Sequence, residues 1–117
     1  MATAAAVTTE TTLAQHVQAL MTRDLDKIME HYTEESVVFS PNGVSKGMTS
    51  IRAFFAGALQ LVTPEAMGNM KVIRQDFDGE YAYVLWSAVP VLAFANDTFH
   101  IRDGKIVAQA FSTPMGS

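Results

Sequence analysis

The 117-residue sequence predicts an α+β domain. Three observations lead there. Apolar residues recur at helical spacing through the first half, they alternate with polar residues through the second, and two Asp-Gly pairs separate the alternating runs. Helical segments followed by hairpin-linked strands build a layer of helices on one face of an antiparallel sheet. A chain of this length makes one domain with one core, and residues 12–114 are read as that domain.

The first eleven residues, Ala- and Thr-rich, are expected to form a flexible lead-in. They lack the basic start and long apolar stretch of a secretory signal. Thr12-Leu13-Ala14-Gln15 fits a capping box. Leu13, Val17, Leu20 and Met21 then mark one face of a first helix. Asp24 is placed to cap a short second helix striped by Leu25, Ile28, Met29 and Tyr32. Residues 36–39 read as a brief strand ended by the turn signal Pro41-Asn42-Gly43. Thr49 or Ser50 is expected to cap the third and clearest helix, with Ile51, Phe54, Phe55, Ala58 and Leu59 on one face.

Beyond Thr63-Pro64 the period becomes two. Residues 68–77, 81–88, 92–102 and 105–113 read as four strands of a meander. Asp78-Gly79 and Asp103-Gly104 are hairpin signals, and Pro90 interrupts between the second and third strands. Met115-Gly116-Ser117 is left out of the fold.

Composition narrows the function. The chain is 49% hydrophobic and 17% charged, with net charge −4. It has no Lys/Arg cluster, so no nucleic-acid partner is expected. Cysteine is absent, which excludes disulfide and thiolate chemistry and suits a reducing cytoplasm. The apolar runs are too short to span a bilayer, so no membrane association is expected. No H-x-H or H-E-x-x-H spacing occurs and there is no glycine-rich phosphate loop, so neither a metal nor a nucleotide cofactor is expected.

One residue breaks the pattern. Asp97 lies in a strand in phase with Phe99 and Ile101, on the face that should be apolar.

The run DLDKIMEHYTEESVVFSPNGVSKGMTSIRAFFAGAL, with NDTFHIRDGKIV in the later meander, resembles the SnoaL-like branch of the nuclear transport factor 2-like superfamily. That superfamily includes ketosteroid isomerase and polyketide cyclases. The resemblance spans about residues 12 to 113. Its most telling pieces are Asp24-Leu25-Asp26, Pro41-Asn42-Gly43 leading to Gly47, Ile51-Arg52-Ala53-Phe54 and Asp103-Gly104-Lys105-Ile106. It implies a cone: a bent antiparallel sheet wrapped around three N-terminal helices, with an apolar pocket between them, often in a homodimer. It identifies the scaffold more sharply than the reaction, because one fold hosts many sites.

By resemblance, Asp97 falls where the isomerase keeps a protonated acid that donates to an oxyanion. Burial raises a carboxyl pKa, since desolvation penalises the charged form. His16 borders the apolar stripe of the first helix and resembles the oxyanion-hole tyrosine in position. It is the candidate partner of Asp97 in an acid/base couple. The bland alternatives are a carboxylate that leans to the sheet edge or accepts from a backbone amide or a neighbouring side chain, and a partly buried histidine whose ring packs and whose nitrogen finds a carbonyl or water.

Ser40 departs from the family pattern. The isomerase has its aspartate base before proline where this chain reads Ser40-Pro41, and a serine hydroxyl removes no α-proton without a partner base. Tyr32, Ser40, Phe55, Trp86 and Phe99 are expected to line the pocket, although Tyr32 reads more readily as a core tyrosine with a satisfied hydroxyl. His31, at a helix end, is expected to suit the dipole as a cation. His100 falls on the opposite strand face from Asp97. Glu30, Glu34 and Glu35 read as solvated surface.

Two functions remain open at this level. The first is a cofactor-free isomerase, cyclase or dehydratase acting on a small, largely apolar carbonyl compound through Asp97. The second is a non-catalytic ligand-binding or dimerisation module. The catalytic reading requires the Asp97 carboxyl to lie in a cavity, within reach of His16 or of a bound ligand.

Overall fold

The computed structural model describes residues 4–114. Residues 1–3 of the expected lead-in and the closing Met115-Gly116-Ser117 lie outside them.

Helix α1 spans Ala4–Thr22. The flexible lead-in expected over 1–11 is therefore helical from Ala4 onward, and Thr12 is inside the helix instead of capping it. Alanine is the best helix former, and the buried face continues upstream through Thr9 and Thr12. The Thr9 hydroxyl donates to the Gly79 carbonyl at 2.8 Å, docking the extension against the sheet. Threonine hid this stripe, because it reads as polar while its methyl packs and its hydroxyl bonds.

Helix α2 (Leu25–Met29) begins as expected. The Asp24 side chain accepts from the Lys27 amide at 3.2 Å. Strands β1 (Val37–Ser40) and β2 (Gly43–Lys46) form a hairpin around Pro41-Asn42, so a strand unforeseen in the sequence follows the turn. Helix α3 (Gly47–Leu61) starts earlier than the Thr49 or Ser50 cap would allow. Its first turn is satisfied from a distance: Glu34 accepts from the Met48 amide at 3.2 Å. Gly47 sits at φ +83 with its Cβ position 3.3 Å from the Glu34 carboxylate, a conformation that favours glycine. Glu34 is thus exposed but acts as a cap.

A fourth short helix, α4 (Pro64–Gly68), was not foreseen, although Thr63 caps it and Pro64 sits in its first turn. The meander follows as β3 (Met70–Asp78), β4 (Tyr81–Ala88), β5 (Leu92–Arg102) and β6 (Lys105–Ser112). Asp103 and Gly104 both take positive φ, as a tight two-residue hairpin turn of their type requires.

The sheet order is β2-β1-β6-β5-β4-β3. The meander is antiparallel as expected, but β1 joins β6 in parallel, so the six-stranded sheet is mixed. A parallel neighbour needs a long crossover, which everything between β1 and β6 supplies. Register shifts at Val72/Arg74, Trp86/Ala88 and His100/Ile101 interrupt the ladders; such irregularities bend strands and strengthen twist. The sheet is curved and unclosed, and the N-terminal helices pack on its concave face. Between them lies a core that includes Leu13, Ile28, Ile51, Ile101 and Ile106. A smaller cluster joins Val62 and α4 to Ala88, Leu92 and Ala95.

Candidate functional site

Between these two clusters is a cavity of about 740 Å³. Helices α1 and α3, the β1–β2 hairpin and the inner face of β4–β6 form its walls. That volume falls within the range of small-molecule pockets, roughly 300–1,000 Å³.

Asp97 is in the wall, 7% exposed. Strand phase puts it there: Asp97 opposes Val84 on β4 and Phe111 on β6, all on the inner face. Its diagonal neighbours on that face supply two donors. Trp86 Nε1 donates to one carboxylate oxygen at 2.9 Å, and Gln109 Nε2 donates to the other at 2.8 Å. The Tyr32 hydroxyl donates in turn to Gln109 Oε1, which fixes the amide with its nitrogen towards Asp97. Burial pushes the Asp97 carboxyl up to about 6, against the pull of the two hydrogen bonds. The phenol of Tyr32 is held well above its usual range by burial and by the Asp97 charge.

His16 also lines the cavity, but it is not coupled to Asp97. Both carboxylate oxygens have their donors elsewhere, and neither His16 ring nitrogen finds a partner among the described residues. The imidazole is packed edge-on against His31, Tyr32, Phe55 and Phe99, with ring centroids 5.7 to 5.9 Å away. Burial first, then the proximity of His31, lowers its pKa to about 3. The ring is neutral throughout the physiological range.

Of the other expected pocket residues, Ser40, Phe55, Trp86 and Phe99 line the cavity. The Ser40 hydroxyl accepts from the Asn42 amide at 3.2 Å in the hairpin turn. Tyr32 is not in the wall: α2 ends at Met29, and the tyrosine lies buried behind Gln109. His31 is not a free cation at a helix end. It is half-buried, and burial lowers its pKa with Lys105 opposing its charge as well, although Glu30 and the Ile28 carbonyl pull the other way. His100 faces away from Asp97, as the strand phase requires. It is bonded to Glu80 at 2.9 Å and stacked on Tyr81.

Gln109 is the site residue that sequence reasoning missed. The same signal that marked Asp97 was available for it: a polar side chain alternating with Phe111 on an inward phase, opposite Phe99. Among the described residues no group of three His, Asp or Glu side chains is arranged to hold a metal ion, and no helix is long and apolar enough to cross a membrane.

An acid and its tethered amide inside a helix-filled, curved sheet define a class of protein, and sequence comparison identifies it. The SnoaL-like domain profile matches residues 13–109, and the chain belongs to that family, within the nuclear transport factor 2-like superfamily. No curated protein matches the chain. Among solved structures, a SnoaL-like protein of unknown function from Burkholderia thailandensis E264 superposes with a TM-score of 0.77 at 17% identity, covering 98% of this chain and 100% of that one. A candidate SnoaL-like polyketide cyclase from Shewanella denitrificans OS-217 gives 0.71 at 12% identity, over 91% and 90% of the two chains. TerC, co-crystallised with polyporic acid, gives 0.67 at 14% identity, over 92% of each. At such identities the likeness establishes the fold.

Proposed function

We propose that the chain binds a small, largely apolar carbonyl compound in this cavity, and that Asp97 moves a proton on it without a cofactor, as an isomerase, cyclase or dehydratase does. The observation that carries this reading is a buried carboxyl facing an apolar cavity with its pKa raised to about 6. A general base is most effective with its pKa near the working pH, where it accepts a proton and returns it with little cost. Trp86 and Gln109 hold the carboxylate in one orientation, while each oxygen retains a lone pair for a substrate proton. His16, the expected helper, is neutral with both ring nitrogens buried and unpartnered among the described residues, so it would orient a ligand oxygen only after its ring turns towards the cavity. Phe55, Phe99 and Trp86 keep water out. The polyketide cyclase and polyporic-acid neighbours support a ligand of this general kind.

Ser40 in the cavity wall supports a second reading, a passive binding module. By the resemblance it stands where ketosteroid isomerase has its base, and a serine hydroxyl does not serve that route without a partner base. One experiment separates the two. Apolar aryl ketones are screened for binding by thermal shift, and binders are followed by NMR for exchange of the α-proton with deuterated water. The catalytic reading expects exchange that falls on the order of 100-fold or more in Asp97→Asn. Binding with no exchange above the buffer rate leaves the passive module. The homodimer that the resemblance implies would bury exposed Val72, Ile73, Tyr81 and Phe94 on β3–β5.

A further inference from the structure

The charges around the cavity are one-sided. Among the described residues no lysine or arginine lines it, and Asp97 is the only acidic side chain that does. Arg23, in the turn after α1, and Arg52, on α3, are engaged elsewhere. Arg23 donates to the Leu59 and Val62 carbonyls, and Arg52 pairs with Asp26 on the surface. His16 contributes no positive charge, because its buried ring stays neutral. The Asp97 carboxylate therefore has two hydrogen-bond donors and no counter-ion, facing a space walled by Phe54, Phe55, Trp86, Phe99 and Phe111.

The consequences for a ligand differ by charge. An anion entering here leaves water for a weakly polar space and meets a like charge. A hydroxyl gains a charge-assisted hydrogen bond at the free lone pairs of Asp97. An ammonium gains that bond, an ion pair and the faces of the surrounding rings.

We propose that the cavity selects ligands by charge, taking apolar molecules that present a hydrogen-bond donor to Asp97 and refusing the anions of the same skeleton. This rests on the small-molecule reading above and narrows it to a substrate class: apolar carbonyl compounds that also carry a hydroxyl or amino group, carboxylic acids excluded. Near neutrality most Asp97 carboxyls are ionised, since their pKa is about 6, so the filter operates under ordinary conditions.

The test uses one skeleton with four ends: butylbenzene, phenylbutanol, phenylbutylamine and phenylbutyrate, titrated calorimetrically into the full chain at about pH 7.5, where Asp97 is ionised. The expected order is amine or alcohol tightest, then hydrocarbon, with the carboxylate weaker than the alcohol by roughly tenfold or more. In Asp97→Asn the gap between amine and carboxylate should collapse by a similar factor. A carboxylate that binds wild type as tightly as the alcohol overturns the charge filter, whatever the variant does. So does an amine–carboxylate gap that survives in Asp97→Asn. Hydrocarbon binding with no gain from either donor overturns the filter and leaves the small-molecule reading standing. Failure of all four to bind overturns the filter, and with it the small-molecule reading where the aryl ketones of the thermal-shift screen fail as well.

Discussion

Asp97 should make the protein less stable than it needs to be. Its carboxyl titrates at about 6 in the folded chain against an ordinary 3.8. Between those values the folded state binds more protons than the unfolded state, so stability falls as pH rises through this window. The loss is complete above about pH 6 to 7 and amounts to about 3 kcal/mol. Asp97 is almost fully buried, so solvent screening removes little of this. Asp97→Asn keeps the shape and abolishes the charge. The asparagine oxygen can accept from Trp86, but its amide then faces the Gln109 amide. Gln109 must rotate, with the Tyr32 hydroxyl turning from donor to acceptor, or one donor is left unsatisfied at about 1–3 kcal/mol.

That rearrangement cost does not depend on pH, whereas the carboxyl contribution does. Urea denaturation of both proteins, followed by far-UV circular dichroism and by the fluorescence of the single tryptophan Trp86, should be run from about pH 4 to pH 8. The variant's stability relative to wild type should rise with pH by about 3 kcal/mol and level off above about pH 7. Other titrating groups are common to both chains and cancel in the difference. A difference that is flat, or that falls with pH, would show that Asp97 is not held as a buried, desolvated acid. The proton-transfer proposal would lose its basis with it.

Two further substitutions probe the surroundings. His16, with a pKa lowered from 6.5 to about 3, favours the folded state above pH 6.5, and that advantage is lost as pH falls towards 3. His16→Leu should therefore gain on wild type by about 2.5 kcal/mol between about pH 6 and pH 4 in the same denaturation series; parallel curves would refute it. Arg23→Ala removes the guanidinium that closes the C-terminal end of α3 through the Leu59 and Val62 carbonyls, and should cost about 1–3 kcal/mol. Hydrogen exchange should show the loss at the α3 end; a loss spread evenly over the sheet would point to another cause.

The meander was legible because alternation survives without tertiary context, and the run 92–102 matches β5 at both ends. The same alternation exposed Asp97 as an acid on an inward phase. What escaped was whatever depended on distant partners. Glu34 caps α3 across the first hairpin, which no local capping rule can see. Threonines 9 and 12 bury a face that hydropathy scores as polar. Tyr32 lies on the expected stripe, yet α2 stops three residues short of it, and the phenol turns to Gln109 behind the wall. The coupling of His16 to Asp97 failed for a related reason. Inward phase on a helix and on a strand puts two side chains in one cavity, but it does not make them meet.

The division of labour in the cavity follows from that separation. Two ionisable groups are buried in the same space, and burial moves their pKa values in opposite directions. It drives the imidazole down to about 3, where it carries no charge near neutrality. It raises the carboxyl to about 6, where gaining or losing a proton costs little. The proposed base needs a pKa near the working pH, and of these two groups Asp97 has it. His16 is left as a neutral ring packed in the wall, and Tyr32, too high to ionise, fixes the amide that holds the acid. The Tyr32–Gln109–Asp97–Trp86 chain is thus the arrangement on which the proposed proton transfer would rest.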